Sequence, residues 1–396
     1  MGGRETVLSL IWHIAVIRQR TAPNHGQHRL LSLYFWYLCT GPPVSNAWHF
    51  SWLLTMAELG YNSRRLLLQP DESVLDCLLR NGEAVPYSCK AGRCQACLIK
   101  AVDCESTPES RAGLKAALQE QGYTLACQWI PHNDVSAALP AVDEFSTVVR
   151  IAELQLLNDA VLRVRLTLED PAALFVCRPG QYLSLIHPSG LTRSYSVAND
   201  FMHDQFIELH VGRTSHGLFS TWLFDHAESG NLMHVRGPAG NCSYSGLDGD
   251  DFPILLAGTG TGLAPLYGIA VDALRQDHRG TIGLYHSART PQYFYYADKL
   301  HRLAKAHGNF HYHPCVTAPH APGSTSRYGM EELLDAFLEQ EKPPQTRVYL
   351  CGAPEFVQAM HKRLYLKGAR AAHIHSDLFI ERSVATNRRV EVIITE

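Results

Sequence analysis

The sequence predicts a multidomain protein with a small α+β domain, an antiparallel β-barrel and a parallel-sheet α/β domain. Three observations predict this fold class: four closely spaced cysteines after a strand and a helix, then a run of short alternating strands, then strands that alternate with helices. The 396 residues, 46% of them hydrophobic, are enough for two to three cores. We expect the three domains over residues 56–142, 143–247 and 248–396, after an atypical extension over residues 1–55.

The extension over residues 1–55 differs in composition from the rest of the chain. It contains four Arg, no Lys, one Glu and four of the six Trp. Its apolar runs over residues 7–16 and 30–39 are shorter than the roughly 20 residues that span a bilayer. Three interpretations stay open: a membrane or partner contact, an early start codon before a true start at Met56, and an additional helical cap.

The first domain opens with a predicted strand over residues 65–69. Ser73 then caps an amphipathic helix, with Val74 and Leu78 on its inner face, and Asn81-Gly82 ends it. Alternating strands predict the barrel over residues 147–154, 160–167, 182–186, 194–198, 206–211 and 232–235. The α/β pattern follows, with strands over residues 254–257, 281–286, 310–316 and 347–351 and helices over 263–275, 296–306, 330–339 and 355–367.

The overall charge is nearly balanced, with 35 Lys and Arg against 38 Asp and Glu. A chain with this balance has no net field to hold a nucleic-acid backbone, so we expect no nucleic-acid partner. The 11 cysteines are an odd number at low density, unlike the framework of a small secreted disulfide domain. We therefore expect a cytoplasmic protein whose cysteines are thiols or metal ligands.

Four cysteines have the spacing C-x4-C-x2-C-x29-C: Cys89, Cys94, Cys97 and Cys127. Soft thiolates hold iron and sulfide, and this spacing is typical of a plant-type [2Fe–2S] cluster. A structural zinc site is the alternative, although zinc sites usually pair their cysteines in two C-x2-C units. The segments over residues 86–97 and 125–127 resemble a plant-type ferredoxin domain, which implies a β-grasp-like fold. Gln95 departs from the Gly, Ala or Ser of many members.

Two motifs in the barrel region indicate a flavin site. Alternation puts Arg193 and Tyr195 on one face of a strand, where they can bind phosphate and cover an isoalloxazine ring, and Ser196 can reach the N5 region. Gly217, with the hydroxyls of Ser220 and Thr221, opens a helix whose free N–H groups suit a pyrophosphate. Each motif alone also fits an ordinary strand or helix cap. Together they resemble the flavin barrel of the ferredoxin–NADP reductase superfamily, which implies FAD rather than FMN.

A glycine-rich turn between a strand and a helix indicates a dinucleotide site: Gly258, Thr259, Gly260, Thr261 and Gly262. Leu263 takes the third glycine position of the G-x-G-x-x-G pattern, and the Lys of a P-loop is absent. The turn still allows phosphate to approach the backbone and the helix end. It resembles the nicotinamide domain of the same superfamily.

The same resemblance implies roles for residues later in the chain. It places Cys351, with Gly352 and Pro354, beside the nicotinamide C4, and Phe379 as a cover of the flavin ring. A buried cysteine and a core aromatic are the plainer interpretations of these two residues. Arg289 could contact the adenosine ribose or its phosphate, and we favour NADH slightly over NADPH.

This module order resembles the reductase components of bacterial oxygenases. The resemblance implies that electrons pass from NAD(P)H through FAD and the cluster to an acceptor protein, such as an oxygenase component or a ferredoxin-like partner. This scheme requires no catalytic acid or base, and we assign none. Lys90, Arg93 and Lys100 suggest either an acidic partner near the cluster or a solvated basic face.

Two other functions stay open. The chain could be a subunit of a membrane NADH:quinone reductase, with residues 1–55 as an anchor, although such relatives have a longer gap between the first two cysteines. It could also be a non-enzymatic redox sensor or electron carrier, against which the intact nucleotide motifs argue.

Overall fold

The computed structural model describes residues 57–83, 85–87, 89–140, 145–173, 175–215, 217–246, 251–317 and 330–379. Residues 56–396 form one compact unit. The extension over residues 1–55 and both predicted domain boundaries lie outside the described residues. Nothing in the structure therefore bears on the three interpretations of the extension.

The first domain is a mixed five-stranded sheet with helix α1 packed against it. Its strands are β1 (Glu58–Tyr61), β2 (Arg64–Leu67), β3 (Leu98–Ala101), β4 (Tyr123–Leu125) and β5 (Val135–Ala138), in the order β2-β1-β5-β3-β4. β1 and β5 are parallel and the other neighbours are antiparallel. Helix α1 (Val74–Arg80) is capped by Ser73, whose hydroxyl accepts from the Asp76 amide, and Leu75 and Leu78 of α1 are fully buried. Short helices α2 (Pro108–Arg111) and α3 (Ala116–Glu120) follow β3.

The second domain is an antiparallel barrel. Its strands are β6 (Thr147–Asn158), β7 (Val161–Leu168), β8 (Tyr182–Ile186), β9 (Thr192–Ser196), β10 (Ile207–Gly212) and β11 (Leu232–Ala239), in the order β10-β7-β6-β11-β8-β9. A bridge between Val197 and Leu209 joins the end of β9 to β10 and closes the barrel. The helices are α4 (Phe201–Asp204) and α5 (Leu218–Asp225). Phe219 and Leu223 anchor α5 to the barrel core.

The third domain is a parallel five-stranded sheet between helices. Its elements are β12 (Ile254–Thr259), α6 (Leu263–Arg275), β13 (Ile282–Ala288), α7 (Ala297–Ala306), β14 (Phe310–Val316), α8 (Met330–Gln340), β15 (Arg347–Gly352), α9 (Pro354–Leu366) and β16 (Ile374–Leu378). The strand order is β14-β13-β12-β15-β16, and every pair is parallel. Helices α6 and α7 pack in one core, and α8 and α9 pack in another. The order reverses between β12 and β15, which is where doubly wound sheets bind ligands.

A buried polar network joins the barrel to the parallel-sheet domain. Glu208 on β10 is 2% exposed and accepts hydrogen bonds from Arg165 at 2.9 Å and from the Tyr296 hydroxyl at 2.8 Å. His210 Nε2 lies 3.2 Å from the same carboxylate. Burial alone would raise the pKa of Glu208, but these hydrogen bonds lower it to about 2. The pair of domains is therefore tied by an ionised carboxylate.

The predicted fold class is confirmed in all three domains. Among the described residues, no helix has both the length and the apolar character to cross a membrane.

Candidate active site

A cavity of about 990 Å³ lies where the three domains meet. Residues from all three domains line it. Those predicted from the sequence as site residues are Cys89, Cys94, Arg193, Tyr195, Ser196, Gly217, Ser220, Thr261, Pro354 and Phe379. The fold thus brings the three predicted motifs to one place.

The four predicted cluster ligands form two pairs. The Cys89 amide donates to Cys94 Sγ and the Cys94 amide donates to Cys89 Sγ, each at 3.3 Å. Cys97 and Cys127 are the second pair, since each thiol is the largest influence on the pKa of the other. Within the part of the chain that the structure describes, no three metal-binding side chains converge on a single point. Two pairs of thiols, one pair for each iron, fit a [2Fe–2S] cluster.

The loop over residues 89–97, the cluster loop, turns its backbone amides toward sulfur. Lys90, Gly92 and Gln95 have φ values of 51°, 72° and 55°. The Ala91 amide donates to Cys89 Sγ at 3.3 Å. The hydrogen bond with Cys94 and then these amides lower the pKa of Cys89 to about 5, which favours the thiolate that binds metal.

Side chains around the cluster loop have their own partners. Gln95, which departs from the Gly, Ala or Ser of many ferredoxin domains, donates from Nε2 to the Gly113 carbonyl at 2.9 Å. The neighbouring loop therefore holds its side chain. Lys90 pairs with Asp76, and Arg93 borders the cavity. Lys100 lies over the ring of Tyr123, so two of the three cations that suggested a partner surface, Lys90 and Lys100, are engaged with their own chain.

The predicted flavin residues lie on β9 and at the start of α5. Arg193 is held by a hydrogen bond from Nη1 to the Thr192 carbonyl at 2.7 Å. Helix α5 begins after Gly217 and has no side-chain cap, so its first N–H groups are left for a ligand phosphate. Thr221 is exposed and does not line the cavity. These donors, beside a large cavity, fit FAD.

A carboxylate that sequence reasoning did not assign sits beside the flavin strand. The Ser196 hydroxyl donates to Asp377 Oδ2 at 2.8 Å, across the contact between the barrel and β16. Burial raises the pKa of Asp377 to about 6, and the Ser196 hydrogen bond only partly offsets this effect. Phe379 follows on the same segment, and its amide donates to the Gly352 carbonyl at 2.8 Å.

The glycine-rich turn packs against the end of β15. A Cβ on Gly262 would lie 2.3 Å from the Cys351 carbonyl oxygen, so only glycine fits there. Gly260 has a φ of +53° and open space around it. Thr259 Oγ1 accepts from the Ala353 amide at 3.1 Å, which joins the turn to the start of α9. This is a backbone cradle at the switch point of the sheet, and it fits a dinucleotide phosphate.

The other predicted nicotinamide residues lie behind or outside the cavity surface. Cys351 is fully buried, and its Sγ lies 3.7 Å from Cys242 Sγ. Gly258 lies near the end of β12 and Gly352 ends the neighbouring strand β15. Arg289 is exposed after β13 and does not line the cavity.

Besides Asp377, sequence reasoning missed three residues that shape this site. His286 is fully buried, and its Nε2 lies 3.1 Å from the Gly260 carbonyl, so the ring stabilises the glycine-rich turn. Burial lowers the pKa of His286 to about 4, and the ring is neutral near pH 7. Tyr182 and Ser184 contact the cluster loop from β8. The alternation of β8 puts these two on one face, but no sequence signal tells what that face meets.

Comparison with known proteins gives one family model for each domain. A 2Fe-2S iron-sulfur cluster binding domain matches residues 62–132, an oxidoreductase FAD-binding domain matches residues 148–244, and an oxidoreductase NAD-binding domain matches residues 256–362. The three matches follow the order of the three sheets.

Whole-length relatives share this order. The reductase subunit of an aromatic O-demethylase from an Amycolatopsis species is 33% identical over 339 residues, which are 81% of this chain and 97% of the relative. The ferredoxin–NAD(P)+ reductase component of the naphthalene 1,2-dioxygenase system of Pseudomonas putida is 28% identical over 330 residues, covering 80% of this chain and 96% of the relative.

Solved structures of reductases are also similar to this chain. The crystal structure of an Amycolatopsis cytochrome P450 reductase has a TM-score of 0.57 and 29% identity, covering 82% of this chain and 98% of that one. The ferredoxin reductase of carbazole 1,9a-dioxygenase has a TM-score of 0.55 and 26% identity, with the same coverage. The chain therefore belongs to the ferredoxin–NAD(P) reductase superfamily, as an oxidoreductase with an N-terminal ferredoxin domain that uses NAD(P)H, FAD and a [2Fe–2S] cluster.

Proposed function

We propose that this protein is the reductase component of an oxygenase system and passes electrons to an oxygenase component or to a ferredoxin-like partner. The observation that carries the proposal is the cavity of about 990 Å³ that the cluster loop, the flavin strand and the nicotinamide domain line together. Relatives named as reductase components of oxygenase systems support it. NAD(P)H supplies a hydride, FAD accepts its two electrons, and the cluster carries one electron at a time.

The residues of each domain have separate tasks in this proposal. The two cysteine pairs hold the cluster. Arg193 and the amides after Gly217 hold the flavin phosphates, while Tyr195 and Phe379 flank the ring. The turn over residues 258–262 holds the nicotinamide dinucleotide, with the segment over residues 351–354 beside the reacting ring. The domain limits proposed for these tasks are residues 56–142, 143–247 and 248–396.

Two side chains at the end of β13, Ser287 and Arg289, support NADH as the donor. Ser287 is only 3% exposed and cannot reach a phosphate on the ribose. Arg289 is exposed, so of these two residues it is the one that can contact the adenosine end. A single exposed guanidinium gives a weak site for an extra phosphate, so we expect NADH to be the better substrate.

An anaerobic titration of the full chain with NADH, and separately with NADPH, tests the proposal. We expect flavin bleaching, then a low-temperature EPR signal of a reduced [2Fe–2S] cluster, at lower concentrations of NADH than of NADPH. The purified ferredoxin of a naphthalene 1,2-dioxygenase system and a bacterial cytochrome P450 serve as acceptor probes. The proposal fails if neither probe is reduced at a rate above that of cytochrome c, or if no cluster signal appears.

A further inference from the structure

Strand β8 of the barrel contacts the cluster loop through two side chains. The Tyr182 hydroxyl donates to the Arg93 carbonyl, and the Ser184 hydroxyl donates to the Cys94 carbonyl at 3.4 Å. Residues two apart on a strand face the same side, and their acceptors are consecutive residues of the loop. The strand therefore holds the loop at two adjacent points, one of them on a cysteine of the predicted cluster.

Ser184 also contacts the flavin strand. Its Oγ lies 3.1 Å from Ser194 Oγ, and the two residues are directly opposite each other in the β8–β9 pairing. A hydroxyl donates one hydrogen bond and can accept another, so Ser184 can bond both neighbours at once. Ser194 stands between Arg193 and Tyr195. An unbroken set of hydrogen bonds thus runs from the backbone of Cys94 to the flavin strand.

Burial restrains Ser184, and close packing restrains Tyr182. Ser184 is 3% exposed. The ring of Tyr182 packs so closely on Gly240 that a Cβ there would lie 2.8 Å from its Cε1. Burial raises the pKa of Tyr182, so its hydroxyl stays protonated and remains a donor. The shielded hydrogen bond from Ser184 to the Cys94 carbonyl is stronger than an exposed one and favours a single arrangement.

We propose that Tyr182 and Ser184 are positioning residues that fix the cluster loop against the flavin strand and set the rate of electron transfer between the two cofactors. The inference rests on the proposed function, since it takes the flavin and cluster sites as assigned there. In each event the reduced flavin loses one electron and the oxidised cluster gains it, and no covalent bond forms or breaks. Such transfer slows steeply as the separation grows, and groups around a cluster ligand also tune its potential.

Stopped-flow reduction by NADH, followed separately at flavin and cluster absorbance, tests this in Ser184→Ala and Tyr182→Phe. Flavin reduction should keep the wild-type rate, and cluster reduction should slow by about 10-fold in each. Ser184→Thr, which keeps the hydroxyl, should restore most of the rate. Matched controls are Ser229→Ala, whose hydroxyl bonds the Ala152 carbonyl at 2.9 Å, and Tyr244→Phe.

A second readout needs no turnover. In the oxidised holoprotein, backbone amides over residues 89–97 should exchange with deuterium faster in both variants than in the controls. Wild-type cluster reduction and wild-type exchange in the variants would overturn the inference. Loss of either cofactor from the variants would overturn it too, because the two residues would then serve cofactor binding itself. If the wild-type cluster is not reduced at all, the proposed function fails instead.

Discussion

Replacing Gly262 with alanine should damage the nucleotide site through a single methyl group. The new Cβ would lie 2.3 Å from the Cys351 carbonyl oxygen, 2.7 Å from its carbonyl carbon and 3.0 Å from the Gly352 nitrogen. These are backbone atoms of β15, which is paired on both sides in the parallel sheet, so they cannot turn away as a flexible side chain would. The turn must move instead, and with it the cradle for the dinucleotide.

The cost should lie near the upper end for overpacking, about 3 kcal/mol. We expect the unfolding midpoint to fall by roughly 6–12 °C, because each kcal/mol shifts a domain of this size by about 2–4 °C. The KM for NADH should rise by about 10-fold or more, which corresponds to about 1.4 kcal/mol of lost binding. The FAD content should not change.

Two further glycines make this a graded test. Gly308 has open space around it and needs no positive φ, so Gly308→Ala should stay within about 0.5 kcal/mol of wild type. Gly260 has open space but a φ of +53°, so Gly260→Ala should cost about 1–2 kcal/mol from backbone strain alone. Thermal unfolding and NADH-dependent flavin reduction measure all three. If Gly262→Ala behaves like Gly308→Ala, the close approach of the turn to β15 is refuted.

Three other changes have distinct expected results. Cys127→Ser should abolish the visible and EPR signals of the cluster and leave NADH:ferricyanide activity, whereas Cys104→Ser, a half-buried cysteine outside the two pairs, should keep both. Glu208→Gln should lower the free energy of unfolding by about 3 kcal/mol, because a buried carboxylate that accepts several hydrogen bonds loses its charge. The control Glu169→Gln, which breaks an exposed ion pair, should lower it by less than about 1 kcal/mol. Urea titrations of both variants measure the difference. Asp377→Asn should flatten the pH dependence of stability. The folded-state pKa of Asp377, about 6, lies above the ordinary value of 3.8, so this residue favours the folded wild type most below pH 4. That contribution, up to about 3 kcal/mol, is lost as the pH rises through 6. Equal slopes of unfolding free energy against pH in both proteins from pH 4 to pH 7 would contradict this.

The ends of some elements were predictable from local chemistry, and those of others were not. Helix α6 and strands β8 and β14 have the predicted limits, because each begins one or two residues after a glycine that interrupts the preceding structure. β1, β3, β4 and β5 were not predicted. They have only three or four residues each, too few for a period of two to stand out, and they exist because the sheet pairs them.

The predicted flavin strand has a misplaced boundary, but the prediction of which of its residues share a face does not depend on that boundary. The strand was expected over residues 194–198 and lies at Thr192–Ser196. Side chains alternate between the two faces of a strand wherever its ends lie, so moving both ends by two residues does not change which residues share a face. Arg193 and Tyr195 therefore still share a face, and both line the cavity. Thr221 differs, since helical spacing turns it away from the pyrophosphate position that was expected for it.

The contacts between domains could not be predicted from the sequence. They show that the barrel links the cluster loop to the nicotinamide domain. In the β8–β9 pairing, Tyr182 stands opposite Ser196. Tyr182 binds the cluster loop and Ser196 binds Asp377 of the nicotinamide domain, so one pair of neighbouring residues contacts both other domains. Side chains directly opposite on antiparallel strands lie on the same face. The contact with the cluster loop and the contact with the nicotinamide domain are thus made from one face of the same two strands, so a change in either contact should be felt at the other.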